Sequence, residues 1–90
     1  MKRIHIIIIG RVQGVAFRYF VERHAKELGV DGYCKNRDYD KVDIVAEGQD
    51  GQLKRLIDVC RRGPSMANVV DIKVNEQPYT GEFSGFKIRY

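Results

Sequence analysis

From Arg3 to Ile9 the chain is dominated by isoleucine, with Ile4, Ile6 and Ile8 at one parity and Ile7 and Ile9 at the other. Side chains branched at Cβ favour the pleated conformation. A strand that is apolar on both faces belongs in the middle of a sheet. Gly10 bounds this strand. From Phe17 onward the apolar spacing changes to that of a helix stripe: Phe17, Phe20, Val21, His24, Ala25 and Leu28, with Gly29 as the stop. The residues between, Gly10 to Ala16, therefore make a tight strand-to-helix connection.

Such a connection can hold an anion. Gly14 admits backbone conformations closed to other residues. The N–H groups of the turn and of the first helical residues lack intrahelical partners, and the helix dipole is positive at this end. Arg18, in the first helical turn, leans back toward the loop. Its guanidinium can take two oxygens of a phosphate or carboxylate at once. On the outer helix face, Glu22 with Lys26 and Arg23 with Glu27 have the four-residue spacing of ion pairs.

Val30 to Arg37 reads as a second strand and Val42 to Glu47 as a third, joined by a hairpin turn through Asp38, Tyr39, Asp40 and Lys41. Gln49 or Asp50 is expected to cap a second helix with the stripe Leu53, Leu56, Ile57 and Cys60. That helix carries Arg61 and Arg62 in its last turn and ends at Gly63-Pro64. Ala67 to Val74 alternates as a fourth strand, with Val70, Ile72 and Val74 on one face. Phe86, Ile88 and Tyr90 mark a short terminal strand.

The order is βαββαβ plus that strand. Two helices with one apolar stripe each bury a single core only by covering the same face of the sheet. With right-handed crossovers the simplest packing is an α+β ferredoxin-like sandwich, an antiparallel sheet with both helices on one face. Isoleucines on both sides of the first strand also require cover for the open face. Long side chains, the terminal strand or a partner could supply it.

With 90 residues the chain has room for one domain. Its apolar runs are too short to span a bilayer, and no signal-peptide pattern develops at the start, so a cytoplasmic protein without membrane contact is expected. The formal charge of +4 arises from Lys and Arg interspersed with Asp and Glu, without a block of like charges. Nucleic acid is therefore not an expected partner. Cys34 and Cys60 are expected to be reduced and buried. No zinc or calcium spacing occurs, and neither GxxxxGK[ST] nor GxGxxG is present, so neither a metal nor an organic cofactor is expected. His24, on the apolar stripe, reads as a packed histidine.

The stretch GRVQGVAFR, residues 10–18, resembles the signature loop of the acylphosphatase family, small enzymes that hydrolyse carboxyl-phosphate anhydrides. GYCKN at 32–36, VAEG at 45–48, GP at 63–64 and FKIRY at 86–90 resemble later landmarks of the family in order and spacing. The resemblance spans nearly the whole chain and implies the same sandwich fold. It also implies an enzyme that takes a small acyl phosphate and releases a carboxylate and phosphate, and a monomer is expected. Gln13, Gly14, Val15, Ala16, Phe17 and Arg18 would then hold the phosphoryl group. Asn36, two residues past Cys34 and so on the same strand face, would position the attacking water.

One departure lies in the hairpin: Tyr39-Asp40 stands where family members often place Asp-Gly, which puts an aspartate where left-handed backbone is expected. Read alone, Gly10 and Gly14 could serve an ordinary turn, Arg18 could pair with Glu22, and Asn36 could bond its own backbone. The same sandwich also hosts non-catalytic phosphate- and RNA-binding modules.

Overall fold

In the computed structural model, which describes residues 1–90, the chain runs β1 (Lys2–Arg11), α1 (Phe17–Leu28), β2 (Asp31–Arg37), β3 (Lys41–Gly48), α2 (Asp50–Arg62), β4 (Asn68–Gln77) and β5 (Phe86–Ile88). The sheet order is β4–β1–β3–β2–β5, so the isoleucine strand is interior, as its two apolar faces require. It pairs antiparallel with β3, Ile6 opposite Ile44, and with β4, Ile6 opposite Val74.

Both helices lie on the face of Ile4, Ile6 and Ile8. α1 contributes Phe17, Val21 and Ala25 to the core and α2 contributes Leu53, Leu56 and Cys60. Each large apolar side chain removed from water here contributes about 1.5–3 kcal/mol. This packing holds the helices, since segments of this length are marginal on their own. Their ends follow the sequence signals. Gly29 closes α1 in left-handed backbone (φ 73°), and Gln49 caps α2 in a reciprocal capping box with Gln52. His24 stacks on Phe20 with ring centroids 4.5 Å apart. Both thiols are buried and unpaired.

Four details depart from the expectations drawn from the sequence. The sheet is mixed, because β5 joins β2 in parallel; the connection from β4 passes across the sheet and enters β5 from the same end as β2. In β4 the alternation breaks at Val70, which is 72% exposed, while Val69 and Ile72 pack on the core. A register shift opposite Ile9 and Gly10 produces the break. The hairpin takes its left-handed residue at Asp38 (φ 54°) rather than at Asp40. Glu22 does pair with Lys26 at 3.6 Å, but no ion pair joins Arg23 to Glu27.

The open face is covered in part by the segment from Pro78 to Gly85, which folds back across it. Glu47, buried near the end of β3, accepts hydrogen bonds from the N–H groups of Thr80 (2.9 Å) and Gly81 (3.1 Å) and from the Thr80 hydroxyl (3.1 Å). Arg3 bonds Gln77 at 2.9 Å and Glu82 at 2.6 Å, and lies over the ring of Phe83. Tyr33 is enclosed between Phe83, edge-on at 5.8 Å, and the guanidinium of Arg89, 3.8 Å above its ring. Of the covers considered from sequence, long side chains and a polar strap do this work. No helix is long and apolar enough to cross a membrane.

Candidate active site

The connection between β1 and α1 is anchored at both ends by fully buried side chains, Val12 and Phe17. Between them the backbone turns through left-handed conformations at Gly14 (φ 71°) and Ala16 (φ 61°). A Cβ at Gly14 would meet nothing within 4 Å, so glycine is required there by backbone angle and not by space. Ala16 is the N-cap of α1, offers no side-chain cap, and is followed by a first turn without an acidic residue.

The N–H groups from Gly14 to Tyr19 consequently have no acceptor within the chain. These donors are gathered at the positive end of the helix.

Gln13 fixes this loop in place. Its Nε2 donates to the carbonyls of Asp38 and Lys41, both at 2.9 Å, and to that of Arg37 at 3.2 Å. The Gly10 N–H donates to Asp40 O at 2.9 Å. The loop and the β2–β3 hairpin are therefore one body. Gln13 is a strut whose side chain is committed to the hairpin, leaving only its backbone available to a ligand.

Across the loop, Arg18 and Asn36 line one hollow of about 110 Å³ together with Val12, Gly14, Ala16, Phe17, Tyr19, Ile88 and Tyr90. The Arg18 guanidinium lies 4.8 Å from the centroid of the Tyr90 ring and makes no ion pair; Glu22, its alternative partner, is taken by Lys26. Asn36 extends from the end of β2 on the Cys34 face. Its Oδ1 is shielded from solvent yet accepts no hydrogen bond. No aspartate, glutamate or histidine side chain lines the hollow.

Beneath it, Cys34 donates from Sγ to Arg18 O at 3.7 Å, and burial pushes its thiol up to about 12. Cys60 is displaced in the same direction by deeper burial. Neither thiol is a nucleophile at neutral pH.

Of the positions singled out from sequence, Gly14, Ala16, Phe17, Arg18 and Asn36 meet at the hollow. Val15 instead packs against the core. Ile88, Tyr19 and Tyr90 complete the wall and were not singled out. The sequence cue for two of them was the apolar alternation of β5, which says that they share a face but not what they face.

Comparison with known proteins identifies the family and the fold. A family model described as Acylphosphatase matches residues 4–88. The acylphosphatase of Methylococcus capsulatus is 43% identical over 88 residues, covering 98% of this chain and 96% of that protein. That of Moorella thermoacetica is 44% identical over 89 residues, covering 99% and 95%. Among solved structures, the acylphosphatase from Bacillus subtilis superposes with a TM-score of 0.95 at 39% identity, with 100% of each chain covered. With the matched model spanning nearly all of its length, the chain belongs to the acylphosphatase family of enzymes.

Proposed function

We propose that the protein hydrolyses acyl phosphates to a carboxylate and inorganic phosphate by direct attack of water. The observation that carries this reading is the shared hollow. Residues of the donor-bearing loop and first helical turn, Arg18 with its unpaired guanidinium and Asn36 with its unpartnered amide oxygen all line one hollow.

The phosphoryl oxygens lie against the N–H groups of the loop and the first turn of α1, with Arg18 taking two of them. Transfer of a phosphoryl group asks for positioning and for donors matched to the charge on its equatorial oxygens. Asn36 Oδ1 accepts a hydrogen bond from the attacking water and so orients its lone pair toward phosphorus. The P–O bond to the acyl group breaks as the bond to water forms, and the acyl oxygen leaves as a carboxylate. That leaving group is stable as an anion, so no general acid is needed. The water's proton passes to a phosphoryl oxygen or to solvent, which suits a hollow without an aspartate, glutamate or histidine side chain. Neither metal nor organic cofactor enters this scheme. Tyr33, the exposed-face aromatic that RNA stacking would require, is instead enclosed by Phe83 and Arg89.

The test is turnover of acetyl phosphate by wild-type protein and two variants. Arg18→Ala should lose about 3–4 kcal/mol of transition-state stabilisation, a rate factor on the order of 10² to 10³. Asn36→Ala should lower kcat with little change in KM, because its partner is the water. Near-normal turnover of Arg18→Ala, or an Asn36→Ala effect confined to KM, would sink the respective assignment.

A further inference from the structure

We infer that the acyl group of the substrate lies on a shelf beside the phosphoryl hollow, and that this shelf selects an apolar or aromatic acyl body carrying an anionic group at its far end. The inference rests on the phosphoryl assignment made above. The shelf is a second depression, of about 260 Å³, lined by Ala16, Tyr19, Phe20, Arg23 and Pro64. It shares Ala16 and Tyr19 with the hollow, so a single molecule can occupy both.

Two features of the shelf are unexplained by folding. Tyr19 is 72% exposed and pairs with no other ring, whereas its neighbour Phe20 is held by Phe17 and His24. An aromatic side chain left in water at the rim of a site offers a face to a planar or apolar group. Arg23 is exposed and in no ion pair, since Glu27 does not reach it. It stands four residues beyond Tyr19, hence beside it on the helix surface.

The dimensions agree. Seven residues of helix separate Ala16 from Arg23, about 10 Å at 1.5 Å per residue. The lean of helical side chains toward the N-terminus brings the guanidinium back over the shelf. Phosphate at the loop, an acyl body across Tyr19, Phe20 and Pro64, and an anion at Arg23 fill that length in order. An acetyl group reaches neither Arg23 nor the ring of Phe20.

Non-hydrolysable analogues of acetyl, benzoyl and 4-carboxybenzoyl phosphate, each with CH2 in place of the bridging oxygen, test this by calorimetric titration. The benzoyl analogue should bind about tenfold tighter than the acetyl analogue, and the distal carboxylate should add about threefold. Tyr19→Ala should remove the first preference and Arg23→Glu the second. Equal affinity for all three analogues, or preferences that survive both substitutions, would overturn the shelf. Both side chains are exposed, and each preference is a ratio within one protein, so a general loss of folding cannot mimic the result. Acetyl phosphate turnover separates the two ideas: no turnover with intact preferences removes the activity and keeps the shelf, while turnover with flat preferences removes the shelf alone.

Discussion

Ala16 holds a backbone conformation (φ 61°) that costs an L-residue with a Cβ about 1–2 kcal/mol. Nothing at Ala16 itself repays this, because its side chain makes no cap. The return is geometric: the turn leaves the N–H groups of the loop and first helical turn without partners beside the hollow, and strain of this kind is typical of sites held ready for a ligand. Ala16→Gly should therefore stabilise the protein by about 0.5–1 kcal/mol, the relief of strain exceeding the entropy that glycine adds to the unfolded chain. Urea denaturation measures this, and equal or lower stability would contradict the strain. Gly14 and Arg18 could be read from the sequence because a glycine in a strand-to-helix turn and a cation in the first helical turn each have a local physical meaning. The left-handed angle at Ala16 could not, since alanine gives no cue for it. Nor could the grip of Gln13, whose acceptors are backbone carbonyls of a distant hairpin.

Among elements, the end of α2 governs the start of α1. Gly63 combines φ 64° with ψ 175°, a region essentially closed to other residues, and a Cβ there would lie 2.9 Å from Phe17 Cε2. Phe17 is fully buried and stands at the head of α1, between the loop and Arg18. Gly63→Ala should cost about 2–3 kcal/mol of stability from strain and crowding. It should also lower acetyl phosphate turnover in protein that remains folded, because Phe17 moves the first turn. Stability loss without a turnover loss, read by denaturation and assay of one preparation, would show that the two helix ends are not coupled. Helix limits were legible because glycines and caps act locally. β4 was less so: its alternation is regular in sequence, but Gly10 approaches so closely that a Cβ would lie 2.2 Å from Asn68 O, and the register shift beside it turns Val70 out.

At the scale of the whole molecule, both layers are secured by contacts between remote parts of the chain, and the ionic ones divide between buried Glu47 and Asp43 and surface pairs such as Arg3–Glu82 and Lys2–Asp50. The hydrogen bond from Arg3 holds Glu82 below its ordinary value of 4.5, and Lys54 and Lys2 lower Asp50 in the same way. Carboxylates whose values fall on folding add stability above their unfolded values and lose it as pH drops through their folded ones. The protein should thus weaken as pH falls below about 4.5. Glu82→Gln should make that decline shallower, and an unchanged acid limb in Tm against pH would contradict it. The strap bearing Glu82 was invisible in the sequence, because a polar stretch without periodicity gives no hint that Glu47 will bind its backbone. The layered architecture was visible, since two amphipathic helices and an interior strand leave little choice. The side-chain bond between Arg3 and Gln77 spans 74 positions, and β1 meets β3 and β4 only after long excursions, shorter to β3 than to β4. Only the β2–β3 hairpin joins neighbouring strands by a short turn. Most of the loop-closure entropy must therefore be met before native pairing repays it, which places refolding in the millisecond-to-second range of non-local topologies. Arg18 on α1 and Asn36 on β2 both lie in the excursion that β1 and β3 close, so the phosphoryl hollow comes into being in the same cooperative step as the sheet.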